Sequence, residues 1–134
     1  MLLTAYSYKV ISGPMDWPVA FHEAFAEEFL ELDPRVRREL AAGIALLRRF
    51  GPHLRRPYAD TLNGSRHANM KELRFAAAGG AWRVAYAFDP SRRAIVLVAG
   101  DKAGQSGRRF YQQLIARADA RFDDHLDELS QGGR

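Results

Sequence analysis

The chain has 134 residues, of which 47% are hydrophobic and 27% charged, as is ordinary for one globular domain. It contains no cysteine, which excludes a disulfide framework and a thiolate metal site. No apolar run approaches the roughly 20 residues of a transmembrane helix, and the first residues lack the pattern of a signal peptide. We therefore expect a cytoplasmic protein that has no membrane partner.

The positive charge is concentrated in the middle of the chain. Residues 35–109 hold sixteen Lys or Arg and five acidic residues, a net charge of +11, whereas residues 1–34 and 110–134 have net charges of −5 and −2. A basic segment between acidic flanks indicates a surface that binds a polyanion. An arginine-rich solubilising surface would give the same distribution, so charge alone leaves both interpretations open.

The first half of the domain is predicted to be a short strand followed by two helices. Apolar side chains alternate around Pro18, and proline places this strand at a sheet edge because it donates no hydrogen bond. Apolar residues then recur at helical spacing in two stripes. Asp33-Pro34 separates the stripes, since Asp caps a helix and Pro fits its first turn. So short a joint predicts that the two helices fold back as a hairpin, which Gly51-Pro52 ends.

The second half predicts a loop, three strands and a helix. Residues 52–69 are rich in Pro, Arg, Asn and Gly, and are expected to form a loop. Alternation around residues 72–75 and 82–88 predicts two strands, and the apolar run 95–99 predicts an interior strand buried on both faces. An apolar stripe at helical spacing extends from about Gln105 to Leu129.

This order predicts an α+β fold with an edge strand, a helical hairpin, a three-stranded antiparallel meander joining the sheet and a C-terminal helix. The domain is expected to cover residues 15–129. Residues 1–14 do not join the pattern, and we interpret them as a flexible extension or an upstream translation artefact that precedes a functional start at Met15. Residues 130–134 are expected to be a disordered tail.

Strand alternation gathers charged residues on one face of the predicted sheet. If the apolar residues face the core, then Glu72, Arg74 and Arg83 share an exposed surface on the other side, with Lys102 nearby. Such an anion site could support RNA cleavage in which the ribose 2′-hydroxyl attacks its own 3′-phosphate, a reaction that needs a base and fixed cations around the phosphorane. The alternative interpretation is an exposed charge pair without catalytic function.

Other side chains could carry protons or contact RNA in this reaction. Glu72, Lys71 and His67 are candidate proton carriers, and Tyr111 could stack on a base or donate a proton. His67 could equally be an ordinary surface histidine, and Tyr111 could simply pack in the core. The four histidines of the chain lack metal-ligand spacing, and phosphate-cradling and nucleophile-elbow motifs are missing. We expect neither a metal nor a cofactor.

Several segments resemble one known family. Residues 62–74 (LNGSRHANMKELR), 82–90 (WRVAYAFDP) and 100–102 (GDK) resemble signature blocks of the phage-derived, HigB-like toxins in the RelE/ParE toxin superfamily. Arg109-Phe110-Tyr111 and Ala118-Asp119 are similar to the last helix of that family. The resemblance covers about residues 15–129, and the family's order of elements matches the order predicted above.

The resemblance implies the toxin of a type II toxin–antitoxin system, an endoribonuclease (mRNA interferase) that cuts mRNA, commonly on the translating ribosome. It implies a helix-turn-helix antitoxin as the partner protein. Arg83 matches the central-strand arginine of the family, Lys102 a basic residue after the next strand, and Tyr111 the tyrosine near the last helix. Where RelE has two lysines around one residue, this chain has Met70 and Glu72 around Lys71, so the base is Glu72 or Lys71. The expected RNA contacts are Arg66, His67, Arg109 and Tyr111.

Two other functions remain open. A ParE-like inhibitor of DNA gyrase would bind a protein and cut nothing, but the combination of Arg74, Arg83 and Lys102 argues against it because ParE-like proteins lack this cation cluster. A non-catalytic module that binds RNA or an antitoxin would keep the same basic face without a competent base.

Overall fold

The computed structural model describes residues 16–132, so the expectation for residues 1–14 lies outside the described residues. In chain order the elements are β1 (Val19–Phe21), α1 (Glu23–Glu31), α2 (Pro34–Phe50), a 3-10 turn (Gly51–His53), β2 (Ala59–Thr61), β3 (Met70–Ala77), β4 (Gly80–Phe88), β5 (Ala94–Asp101) and α3 (Gly107–Gly132). This order confirms the predicted α+β class.

The five strands form one mixed sheet in the order β1-β5-β4-β3-β2. β1 pairs in parallel with β5, and every other neighbouring pair is antiparallel. The strand after Pro18 therefore lies at an edge, as predicted, and β3, β4 and β5 form the expected meander. β5 is an interior strand between β1 and β4. Its run Ile95–Val98 is buried because helices cover both faces of the sheet.

Local capping explains the helical hairpin. The Nδ1 atom of His22 accepts the N–H of Ala24 at 3.0 Å at the start of α1. Asp33 does the same for the N–H of Arg35 at 2.8 Å at the start of α2, which confirms the predicted joint. α2 ends at Gly51, whose φ of 55° lies in the left-handed region that favours glycine.

The sheet lies between two helical layers. On one face the hairpin packs against Leu73, Val84 and Tyr86 through side chains such as Phe25 and Leu40. On the other face α3 packs against a second apolar cluster, whose members include Met70, Ala85, Leu97, Phe110, Leu114 and Phe122. Alternation along β3 therefore sends every second side chain towards α3, and this arrangement positions the site described below.

Two boundaries differ from the sequence-based expectation. Within the expected loop 52–69, Ala59–Thr61 forms the edge strand β2, and Leu54, Ala59 and Leu62 are buried. Three residues are too few to show an alternation, so this strand had no readable pattern. α3 extends to Gly132, so residues 130–132 are helical and do not form the expected tail. Within residues 16–132, no helix combines the length and apolarity that crossing a bilayer requires.

Candidate active site

Four polar side chains meet where β3, β4 and α3 come together. The Glu72 carboxylate accepts a hydrogen bond from Nη1 of Arg74 at 2.9 Å and one from the hydroxyl of Tyr111 at 3.0 Å. The Tyr111 hydroxyl in turn accepts the Nε–H of Arg83 at 3.2 Å. We call Glu72, Arg74, Arg83 and Tyr111 the carboxylate cluster. Its bonds form an unbroken chain from one guanidinium to the other.

The cluster balances an unfavourable cross-strand pair. Arg74 and Arg83 lie directly opposite each other in the β3–β4 register, and like charges at such positions destabilise a sheet. The Glu72 carboxylate and the Tyr111 hydroxyl offset this repulsion, but one formal positive charge remains. Hydrogen bonds among residues 16–132 engage two of the five guanidinium N–H groups of Arg83. The cluster therefore keeps charge and donors with which it can bind an anion.

Burial corrects one expectation about this face. The sequence predicted an exposed sheet surface, but Glu72 is only 3% exposed. The reason is that α3 lies over this face and brings Tyr111 onto the carboxylate. The side chain of Arg74 keeps 25% exposure. A ligand approaching the cluster therefore meets Tyr111 and the two arginines before it meets Glu72.

Burial is also the main cause that raises the pKa of Tyr111 above its ordinary value. The hydrogen bond from Arg83 acts in the opposite direction, and the negative charge of Glu72 adds to the increase. Tyr111 is therefore a protonated phenol at neutral pH, able to donate one proton while accepting a hydrogen bond from Arg83.

A groove opens beside Tyr111 between the start of α3 and the loop before β3. Lys102 lies at its rim, next to the lining residue Gly107. Its Cε atom is 3.7 Å from the position that a Cβ atom on Gly107 would occupy. The backbone N–H of Lys102 also bonds to the carbonyl of Ala81, two residues before Arg83. The residues lining the groove are Asn63, Gly64, Gly107, Arg108, Tyr111, Gln112, Ile115 and Ala116.

Two of the expected site residues lie elsewhere. Lys71 pairs with Tyr86 and alternates with Glu72 along β3, so it lies on the hairpin face and cannot reach the cluster. Of the two candidate bases, the fold brings only Glu72 to Tyr111. Arg109 is exposed on α3 and does not line the groove, whereas Arg108 does. Sequence reasoning missed Arg108, although its spacing of three residues from Tyr111 places both on one helical face.

Arg66 and His67 are held against α3 in the loop before β3. The guanidinium of Arg66 forms ion pairs with Asp119 and Asp123. Nε2 of His67 lies 2.9 Å from the Asp123 carboxylate, and its ring packs edge-on against Phe122. These contacts fix the loop to the helix, so both residues position the groove wall. No group of three or more His, Cys, Asp or Glu side chains in residues 16–132 is arranged to hold a metal ion.

Asp119 is the buried anchor of this loop, and its removal should destabilise the fold. It is 5% exposed and accepts hydrogen bonds from the Ser65 hydroxyl at 2.5 Å and from the Arg66 backbone at 3.2 Å. Because Asp119→Ala leaves the partly buried Ser65 hydroxyl and the Arg66 backbone N–H without their acceptor, we expect the free energy of unfolding to fall by about 1–3 kcal/mol. Urea denaturation measures this loss. The control is Asp127→Ala, at an exposed position of the same helix; equal losses for both variants would contradict the anchoring role.

The chain is similar to known toxins and to one family of phage-derived proteins. Residues 27–123 match the family described as phage derived protein Gp49-like (DUF891). Two Mycobacterium tuberculosis proteins named as candidate toxins, HigB2 and HigB3, are 45% and 42% identical over 99 and 105 residues, or 73% and 78% of this chain. These alignments span 49% of HigB2 and 90% of HigB3, so the chain matches about half the length of the first relative.

One solved structure has the same fold. The free R81A/R83A mutant of the E. coli toxin RelE superposes with a TM-score of 0.59, covering 80% of this chain and 98% of that structure. The two sequences are 16% identical, so this likeness concerns the fold alone. It agrees with the arrangement of a helical hairpin and a C-terminal helix around a mixed sheet.

Proposed function

We propose that this chain, which belongs to the phage-derived Gp49-like family and is related to the HigB proteins, is the toxin of a toxin–antitoxin system in the RelE/ParE superfamily. We propose further that it is an endoribonuclease that cuts mRNA on the ribosome without a catalytic metal, and that a helix-turn-helix antitoxin holds it inactive. The observation that carries the nuclease proposal is the carboxylate cluster beside an open groove.

In the proposed reaction the RNA supplies the nucleophile. The ribose 2′-hydroxyl attacks the adjacent phosphorus, and its proton passes through the Tyr111 hydroxyl to Glu72. This route is supported by geometry, because Tyr111 lines the groove while Glu72 lies behind it, 3.0 Å away and 3% exposed.

The arginines would stabilise the charge that develops during the attack. A guanidinium matches the oxygens of a phosphorane in a bidentate way, and a preorganised donor stabilises charge without reorganising water. Arg83 is held by Tyr111 and by the Trp82 carbonyl at 2.9 Å, so its fork is fixed before a substrate arrives. Lys102 and Arg108, at the groove, would contact the leaving strand. As the new bond from the 2′ oxygen forms, the bond from phosphorus to the 5′ oxygen breaks, and the leaving 5′ oxygen takes a proton from water. The products are a 2′,3′-cyclic phosphate and a 5′-hydroxyl.

Expression of the chain in a bacterial host tests this proposal. Growth should stop after induction, and co-expression of a helix-turn-helix antitoxin from the neighbouring gene should restore it. The Glu72→Gln variant, which keeps the shape of the side chain, should permit growth while still binding the antitoxin. Unimpaired growth with the intact chain would contradict the toxin proposal, and arrest by the Glu72→Gln variant without RNA cleavage would point to an inhibited protein target such as gyrase.

A further inference from the structure

Two neighbouring surface grooves lie at the end of α2, and both are lined by Phe50 and His53. Phe50 is 45% exposed and Tyr58, in the second groove, is 51% exposed. Large aromatic side chains are normally buried, so two exposed rings on one continuous surface indicate an interaction site. Neither ring belongs to the carboxylate cluster.

Arginine side chains interleave with these rings. The guanidinium of Arg49 lies 5.9 Å from the centre of the Phe50 ring, and that of Arg92 lies 5.1 Å from the Trp17 ring. Arg55 lines the groove between Phe50 and Tyr58. None of these three arginines has a carboxylate partner within residues 16–132. We call this surface the arginine–aromatic track, formed by Trp17, Arg49, Phe50, Arg55, Tyr58 and Arg92.

The acidic residues near the track are already neutralised. Asp16 pairs with Arg48 at 3.6 Å. Asp60 accepts the Nε–H of Arg56 at 2.8 Å, and this hydrogen bond lowers the pKa of the Asp60 carboxyl. The track therefore presents a net positive charge to solvent, and its preferred ligand is an anion with apolar faces.

The track adjoins the strand that carries Glu72 and Arg74 of the carboxylate cluster. The carbonyl of Tyr58 accepts the backbone N–H of Arg74 at 2.9 Å, and Ala59 pairs with Leu73. Because β2 is the edge strand of the sheet, Tyr58 lies at the edge next to Arg74. An RNA strand bound at the cluster could pass around this edge to reach the track.

We infer that the arginine–aromatic track binds the single-stranded RNA that flanks the cleavage position. Bases stack on exposed rings and phosphates pair with guanidiniums, so RNA uses both components of the track. An acidic protein segment would pair with the arginines alone, and its binding would not account for the two exposed aromatic rings. This inference rests on the proposed nuclease function, because that function supplies the RNA and the cluster to which the track leads.

Binding of a labelled 2′-O-methyl RNA of about 12 nucleotides, a length within known single-strand site sizes, tests the track with the full-length chain. This RNA resists the proposed cleavage, so fluorescence anisotropy reports binding alone. Phe50→Ala with Tyr58→Ala should raise the Kd at least about fivefold for each ring. Arg49→Ala, Arg55→Ala and Arg92→Ala together should raise the Kd and reduce the slope of log K against log salt by about 2.

The control carries Leu30→Ala and Arg38→Ala, which remove an exposed apolar and an exposed basic side chain outside the track. It should bind RNA as the unmodified chain does, and melting temperatures verify folding. If the double aromatic variant fails to fold, the triple arginine variant decides, since all three side chains are exposed. An unchanged Kd, or an equal loss in the control, would overturn the inference. Normal RNA binding with lost antitoxin binding would identify a protein interface and also overturn it.

Cleavage of unmodified RNA separates this inference from the proposed function. Loss of 2′-O-methyl RNA binding in the track variants, with no cleavage by the intact chain of either free RNA or mRNA on translating ribosomes, would support the track and contradict the nuclease. Cleavage by the intact chain, with unchanged binding and cleavage in the track variants, would contradict the track alone.

Discussion

Arg83→Ala should lower the rate of RNA cleavage by about 10²–10³-fold, the loss that follows removal of one preorganised donor to a developing anion. Arg83 is the largest expected contributor because it is fixed at both Nε and Nη1, by Tyr111 and by the Trp82 carbonyl. Arg74→Ala and Lys102→Ala should have smaller effects. Single-turnover cleavage with saturating protein measures this rate.

Two controls separate catalysis from folding and from general charge. Arg83→Lys keeps the charge but loses the planar guanidinium that can donate to two phosphate oxygens at once, so it should recover only part of the rate. Arg38→Ala removes an exposed arginine on α2 and should cleave at the original rate. Full activity in the Arg74→Ala, Arg83→Ala and Lys102→Ala variants would show that the site lies elsewhere. A collapse of the melting temperature for Arg83→Ala would instead assign Arg83 a structural role.

A single 2′-deoxy nucleotide at the cleavage position should abolish cleavage there. In the proposed reaction the 2′-hydroxyl is the nucleophile, and the protein holds Glu72 and Tyr111 where they could take its proton. Removing this hydroxyl therefore removes the attacking atom while leaving the phosphate, the base and nearly all contacts unchanged. The ratio of cleavage at the modified and unmodified positions, measured on a sequencing gel, gives the effect directly.

The same substitution at a neighbouring nucleotide provides the matched control. It alters one hydroxyl outside the reaction, so cleavage at the original position should continue at close to its normal rate. Cleavage of the 2′-deoxy substrate at the modified position would mean that water or a protein side chain attacks phosphorus, and would contradict the proposed mechanism.

The grouping of the site residues was predictable from sequence because it depends on local geometry. A period of two fixes which residues of a strand share a face, so Glu72 and Arg74 necessarily lie together. Arg83 joins them through the β3–β4 register, which the Gly79-Gly80 turn helps to set. The same period places Lys71 on the opposite face from Glu72, so strand alternation is by itself sufficient to exclude Lys71 as a base.

What covers that face could not be predicted in the same way. An alternating strand with charged residues on one side looks exposed, and nothing in β3 itself indicates that α3 packs over it. The contact between Tyr111 and Glu72 joins residues 39 positions apart, so it depends on how the whole chain folds. The anchoring of Arg66 and His67 to Asp119 and Asp123 has the same long-range origin.

The chemical nature of the cut ends tests the central claim most directly. RNA cleaved by the purified chain, as free RNA in excess EDTA or on translating ribosomes, can be analysed by enzymatic end-labelling and mass spectrometry. We expect 2′,3′-cyclic phosphate or 3′-phosphate ends opposite 5′-hydroxyl ends, and undiminished cleavage of free RNA in EDTA, because Arg74 and Arg83 supply the positive charge at the cluster. Products with 5′-phosphate and 3′-hydroxyl ends, formed only when Mg²⁺ is added, would contradict the account.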